Sequence, residues 1–212
     1  MTLRSKVEIS GRWGPYYDRL MDLLFLGTYP RFMAQVIGKM QIESGDEILD
    51  LGSGTGRNAR LMLDRLGSTG RIVGVDISPQ MLHRARGRCK RYPQISFVEQ
   101  RIEQPLPFTE EFDKIFISFV LHGFEDEDKR RIIANARNTL KQDGSLWILD
   151  YNEFDLEKVG WPMQWLFRHL ECELATEFLQ LDLAQMAAEE GLEHFVSHEF
   201  VRGYVRLFGA RK

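Results

Sequence analysis

The chain is poor in cysteine, has no long apolar run and carries almost no charge imbalance, and each shortage removes a class of protein. Its two cysteines, Cys89 and Cys172, lie far apart and neither belongs to a CxxC pair. That argues against a disulfide framework and against a structural zinc site. No run of about 18 apolar residues occurs, so no membrane-spanning helix is expected. The opening residues, MTLRSKVEIS, lack the apolar core of a secretory signal, and the expected location is cytoplasmic. A net charge of −3 and a pI near 6.0 predict no strong attraction to nucleic acid or to an anionic membrane. The one basic stretch, His83 to Arg91 (HRARGRCKR), reads as the solvated face of a helix. No internal repeat, low-complexity tract or linker interrupts the chain.

What remains is an ordinary globular composition, 43% apolar and 28% charged over 212 residues, enough for one α/β domain with a sizeable core. Strand-like and helix-like segments alternate from Glu47 onward. Strands are expected at 47–51, 71–76, 94–99, 114–119 and 144–150, with closing strands at 193–200 and 204–210. Helices are expected at 58–66, after Ser78-Pro79, at 127–141 and at 178–190, the last ending at Gly191. The N-terminal 46 residues read as mostly helical, with Tyr16, Tyr17, Leu20, Leu23, Leu24 and Phe25 forming an apolar stripe. Strands separated by helices of this length imply a parallel sheet covered on both faces.

The chemistry begins at Asp50-Leu51-Gly52-Ser53-Gly54-Thr55-Gly56. Glycines let a backbone turn sharply and approach a ligand closely. This loop lies between a strand and a helix at the carboxyl end of the sheet, where open α/β folds bind ligands. Asp76, twenty positions after Gly56, ends the next strand, and a carboxylate there can accept both hydroxyls of a ribose. Its alternative role, capping the following helix, falls more naturally to Ser78. A dinucleotide loop would read GxGxxG; here Arg57 stands where its third glycine would be.

The compressed spacing resembles the loop of class I S-adenosylmethionine-dependent methyltransferases, closest in flavour to the ubiquinone/menaquinone C-methyltransferase group. The resemblance rests on Ile48 to Gly56 (ILDLGSGTG), Gly74 to Leu82 (GVDISPQML), Leu106-Pro107-Phe108, Phe112-Asp113, Ile117 to Phe119, Leu140 and Gly144 to Asp150 (GSLWILD). A Tyr-Asp segment upstream, here Tyr17-Asp18, also matches. It implies an α/β, Rossmann-like methyltransferase fold with a mostly parallel seven-stranded sheet and helices on both faces. It further implies a single domain over 1–212: a helical cap at 1–46, a cofactor-binding core at 47–150, and an acceptor-side insertion with closing strands at 151–212.

S-adenosyl-L-methionine is the implied cofactor, touching Asp50, Gly52, Ser53, Gly54, Gly56, Asp76, Ile77, Met81, Ile102, Glu103, Ser118 and Phe119. In the family the first acidic residue serves the methionine amino group. The chain departs from the family at Arg101, where an acidic residue often accepts from the adenine amino group; arginine cannot accept. Glu103 or the backbone around Ile102 would take that role.

The transferred methyl is expected beside Ser118 to Gly123. There His122 is the candidate base, or else a loop hydrogen-bonder, and Tyr17 a second candidate catalytic residue. No Asn/Asp-Pro-Pro-aromatic tetrapeptide occurs, which argues against the amino-methylating DNA and glutamine enzymes. Trp161, Met163, Trp165, Leu166 and Phe167 would cover the acceptor together with Tyr16, Tyr17 and Phe25, and an apolar pocket suits a hydrophobic or aromatic acceptor. A quinone-precursor carbon and a phospholipid amine are the two options, and a peripheral contact with a lipophilic acceptor is compatible with either. No metal site is expected, since His169, Glu171 and Cys172 lack ligand spacing, and no nucleic-acid partner is expected; the oligomeric state is not legible. The competing readings are a catalytically silent adenosylmethionine-binding module and a nicotinamide-dependent oxidoreductase.

Overall fold

The computed structural model describes residues 18, 22–23, 27–161, 164–165, 167 and 173–212. Tyr16, Tyr17, Leu20, Leu24, Phe25, Met163, Leu166, His169, Glu171 and Cys172 lie outside the described residues.

Seven strands, β1 (Glu47–Leu51), β2 (Arg71–Asp76), β3 (Ile95–Glu99), β4 (Phe112–Ser118), β5 (Leu140–Tyr151), β6 (Glu193–Phe200) and β7 (Val205–Arg211), form one sheet in the order β3-β2-β1-β4-β5-β7-β6. Pairings among β1 to β5 are parallel, and β7 runs antiparallel to both β5 and β6. This is the mostly parallel, seven-stranded, Rossmann-like sheet that the sequence implies.

Alternation along each strand divides the core into two layers. Ile48, Ile72, Phe116, Trp147 and Leu149 face a layer that includes helices α1 (Tyr29–Lys39) and α2 (Arg57–Leu66). Leu49, Val73, Ile115, Ile117, Leu146 and Ile148 face the other layer, with α4 (Asp126–Thr139), α5 (Glu173–Phe178) and α6 (Leu183–Glu189). Helix α3 (Pro79–Cys89) connects β2 to β3, and Ser78 caps it, its side chain accepting from the Met81 amide.

Two helix expectations need correction. The helix placed at 127–141 stops at Thr139, whose hydroxyl donates to the Ala136 carbonyl, and the fully buried Leu140 is already in the sheet opposite Phe112. The helix placed at 178–190 begins only at Leu183, because Asp182 caps α6 by accepting from the Gln185 amide, while Phe178 ends the separate helix α5. Burial of an anchor residue and a competing side-chain cap overrode the periodicity.

Gly74 sets how closely the glycine loop can lie on the sheet. A Cβ there would sit 2.6 Å from Phe97 Cδ1 and 2.8 Å from Ser53 Cβ. Gly74→Ala should therefore push Ser53 and Phe97 away, at a cost of about 1–3 kcal/mol. Thermal unfolding should show a melting temperature lower by several degrees; an unchanged value would mean that the loop yields without strain.

Candidate active site

Three elements meet at the carboxyl edge of the sheet: the loop after β1, the end of β2, and the segment after β4. The loop is held first by backbone. The amides of Gly52 and Ser53 both donate to the Val75 carbonyl, at 2.8 and 2.9 Å. Gly52, Gly54 and Gly56 all have positive φ, so the chain can curl here without a Cβ penalty. At Gly52 there is a second reason for glycine: a Cβ would lie 2.5 Å from Val120 Cγ2. The glycine thus lets the segment after β4 close directly onto the loop.

Asp50 ends this arrangement with an unusual carboxylate. Its side chain is buried, and neither carboxylate oxygen has a hydrogen-bond partner among the described residues; the Ser53 hydroxyl is likewise unsatisfied. Burial, with a smaller contribution from the Asp76 charge, pushes the Asp50 carboxyl up to about 7. A buried polar group without a partner costs free energy, and native chains keep one where something else satisfies it. A ligand ammonium group would do so.

Asp76 is committed differently. One carboxylate oxygen accepts from the Gly54 amide and the other from the Ser78 amide, both at 2.8 Å. Burial raises its carboxyl above the ordinary value, against the opposing pull of these bonds. Asp76 therefore braces the glycine loop and the start of α3 together, and shares the capping role with Ser78. Each carboxylate oxygen has a second lone pair, so acceptance from a ribose remains open chemically. Ile77 follows directly, and Met81 is buried on α3 one turn on.

The segment ahead of Leu106-Pro107-Phe108 pairs Arg101 with Glu103 through a charged hydrogen bond, with Glu103 the more buried of the two. Arg101 thus lies against the very carboxylate that could replace the missing acceptor. Ile102 is buried, and its carbonyl accepts from Asn135 Nδ2 at 2.9 Å.

Beyond β4, Phe119 has a left-handed backbone, φ +53°, while its amide donates to the Leu149 carbonyl. Such a conformation costs a non-glycine residue of order 1 kcal/mol or more and is often found at sites. His122 lies three residues on, in a 3-10 turn, Leu121–Gly123. Its Nδ1 is 2.7 Å from Asp150 Oδ1, and its amide donates to Asp150 Oδ2 at 3.2 Å. The Tyr151 amide donates to the same carboxylate at 2.9 Å. Asp150 is buried at the end of the neighbouring strand β5. The rings of Tyr151 and Phe178 lie 5.1 and 6.5 Å from His122. A carboxylate on Nδ1 fixes the tautomer that carries hydrogen there, which leaves the basic lone pair on Nε2.

Sequence reasoning named His122 but assigned Asp150 no role, although an acidic residue ending the adjacent parallel strand was visible. It also missed Asn58, whose side-chain amide donates to the Ser118 hydroxyl at 2.8 Å and accepts from the Tyr29 hydroxyl at 3.3 Å. No pattern in the sequence pointed to that bridge. Tyr17 lies outside the described residues. Of the expected aromatic cover, Phe167 is buried against Tyr151 and Phe154, whereas Trp161 and Trp165 are exposed and do not line a core. Among the described residues no cluster suits a metal ion, and no helix is long and apolar enough to cross a membrane.

A methyltransferase-domain family model matches residues 48–144. A 2-phytyl-1,4-naphtoquinone methyltransferase of Trichormus variabilis is 33% identical over 171 residues, which span 79% of this chain and 73% of that protein. The ubiquinone/menaquinone biosynthesis C-methyltransferase UbiE of Xanthomonas oryzae pv. oryzae is 32% identical over 144 residues, 66% of this chain and 56% of its own length. A SAM-dependent methyltransferase from Aquifex aeolicus has the same fold, with a TM-score of 0.66 at 17% identity over 84% of this chain and 88% of that one. The nicotinamide-dependent reading falls away. On its sheet order, its glycine loop and a relative one-third identical over most of both sequences, this chain belongs to the class I S-adenosylmethionine-dependent methyltransferases.

Proposed function

We propose that the chain methylates a carbon of a small, apolar, hydroxylated aromatic acceptor of the quinol type, with His122 as general base and Asp150 as its orienting partner. The observation that carries this reading is the His122–Asp150 pair set among Phe119, Tyr151 and Phe178. The names of the relatives, which refer to naphthoquinone and to ubiquinone/menaquinone biosynthesis, support the acceptor class.

When bound, S-adenosylmethionine supplies a methyl group on a positively charged sulfur. The chain's residues fit its polar ends. Asp50 offers the buried, unpartnered carboxylate to the ammonium of the methionine part, and the glycine loop leaves room for the nucleoside. Asp76 offers its remaining lone pairs to the ribose, with Ile77, Met81 and Ile102 forming the apolar surroundings of the adenine. Glu103, held by Arg101 and the more buried of the two, is the carboxylate that would take the place of the missing adenine acceptor.

The acceptor's hydroxyl proton passes to His122 Nε2, which raises the electron density of the ring carbon that attacks. Asp150 stabilises the imidazolium that results and keeps the ring turned. The ring carbon bonds to the methyl as the methyl–sulfur bond breaks, its electron pair staying on sulfur as a neutral thioether. The methylated carbon then loses its proton to water, the acceptor oxygen takes back the proton held on His122, and aromaticity returns. Apolar walls favour the neutral aromatic body of the acceptor and keep water from the reacting carbon. Segment 151–212 forms the acceptor side of a single-domain enzyme in this reading.

The acceptor is tested by radiolabelled methyl transfer to a reduced naphthoquinol and, in parallel, to phosphatidylethanolamine. Label in the quinol ring is expected; label in the amine alone would overturn the reading. With the quinol, His122→Ala should lower kcat by about 10²–10⁴, and Asp150→Asn should lower it and alter the pH–rate profile, both with near-native cofactor affinity. Native kcat in His122→Ala would remove His122 from the chemistry.

Asp50 makes cofactor affinity depend on pH. Its carboxyl is protonated below about 7 in the free protein, and an ammonium partner needs it ionised. Affinity should therefore fall as pH drops below 7, approaching about tenfold per unit. Stability of the free protein has the opposite sign: the raised value means that stability declines as pH rises from the ordinary 3.8 to about 7, and the loss is complete above it. Asp50→Asn should raise the melting temperature of the free protein at pH 8 while weakening calorimetric binding of S-adenosylhomocysteine. A variant that binds as tightly as the native protein would refute the assignment.

A further inference from the structure

The basic stretch on α3 is not merely a solvated face. His83, Arg86, Gly87, Arg88, Lys90 and Arg91 are all exposed, as the sequence suggests, but the Arg88 guanidinium reaches back to the glycine loop. Its Nη1 donates to the Thr55 carbonyl at 2.7 Å and to the Thr55 hydroxyl oxygen at 2.6 Å. The Thr55 hydroxyl donates onward to Asp18 Oδ1 at 2.8 Å. Arg88 Nη2 closes the ring on Asp18 Oδ2. Three groups from three parts of the chain are thus joined pairwise: a residue upstream of the sheet, the glycine loop and the last turn of α3.

A second pair lies one residue beyond the loop. Arg57, at the start of α2, donates to Asp22 Oδ1 at 2.6 Å, and its guanidinium lies 4.4 Å from the centre of the Tyr29 ring. Tyr29 is itself buried, and burial pushes its hydroxyl up to about 12, so it stays neutral beside this cation. The place that a dinucleotide-binding loop gives to a glycine is here given to an anchoring arginine.

The arrangement differs from ordinary surface ion pairs in what it holds. Gly54 and Gly56 flank Thr55 and have positive φ, and a chain with little steric preference at both neighbours has many loop shapes to choose from. Asp76 fixes the Gly54 side through its amide. Arg88 fixes Thr55 from the other side through carbonyl and hydroxyl together, and Asp18 holds both. The charges are partly exposed, Arg88 at 34% and Asp18 at 27% of their side chains, so the clasp is open to screening by salt.

We propose that Asp18 and Arg88 are positioning residues for the cofactor, an ionic clasp on Thr55 that selects the ligand-holding shape of the glycine loop. This rests on the reading that the loop binds S-adenosylmethionine. Neither side chain is asked to touch the cofactor. Breaking the clasp frees Thr55 and widens the loop's choice of shapes, so binding must order it again, and affinity falls while the acceptor chemistry is unchanged.

The experiment is calorimetric titration of the full chain with S-adenosylhomocysteine at about 50 and 500 mM salt, where screening lengths differ several-fold. The forms compared are native, Asp18→Asn, Arg88→Gln, the charge-exchanged pair Asp18→Arg with Arg88→Asp, and Arg130→Ala. Arg130 pairs with Glu189 away from the loop and serves as a control. Expected are a Kd raised about tenfold in each single variant, partial recovery in the exchanged pair, and loss of most of the native salt dependence in the single variants. In turnover assays KM for the cofactor should rise while kcat changes little. Single variants with native Kd and native salt dependence would overturn the clasp, as would equal losses in the exchanged pair and the singles. Failure of the native chain to bind at all would instead refute the cofactor reading on which the proposal rests.

Discussion

The structure depends on one unsatisfied charge. Asp50 is the penultimate residue of β1, next to the middle strand β4, with its carboxylate buried and its oxygens without partners among the described residues. An isolated carboxylate in such a place is costly, and the protein answers by favouring its protonated form up to about pH 7. The surroundings form around that cost. Gly52 and Ser53 hang from the Val75 carbonyl, Gly74 leaves space for Ser53, and Asp76 ties Gly54 to the start of α3. The loop is thus built to present a carboxylate rather than to neutralise it. Stability is given up in the free protein, and a cationic ligand would return it.

The parallel sheet places the second half of the site by register alone. Asp50 lies opposite Phe116 on β4, and Ser118 opposite Leu149 on β5. The chain leaving β4 therefore passes the end of β5, which brings His122 onto Asp150. The two pairs, loop with Asp76 and His122 with Asp150, occupy the same edge because parallel strands deliver all their carboxyl ends to one side. Gly52 against Val120 is the contact at which the two halves touch.

Much of this was legible in the sequence because it is local. The strand–glycine loop–helix unit, the acidic end of β2 and the Ser78-Pro79 cap are read from neighbouring residues, and the succession of strands and helices implies a sheet covered on both faces. What was not legible depends on partners far apart. The Asn58–Ser118 bridge spans 60 positions and the Arg88–Asp18 pair 70, and nothing in either neighbourhood announces the other. Asp150 was visible as a strand end, but its meaning arises only from β4–β5 adjacency. The helix errors have a different origin: Leu140 is pulled into the sheet by burial, and Asp182 interrupts a good helical pattern with its own cap.

The central claim is that Asp50 is kept buried and unpaired for a cationic ligand, and its protonation can be watched directly. A carbon-13 NMR titration of the labelled aspartate side chains, with Asp50 assigned by substitution, reads its midpoint in the free chain and in the S-adenosylhomocysteine complex. The account predicts a midpoint near 7 without ligand and a fall of at least one unit on binding, because the ammonium favours the ionised form. A free-protein midpoint at the ordinary carboxylate value, or one that ligand leaves unmoved, would contradict it.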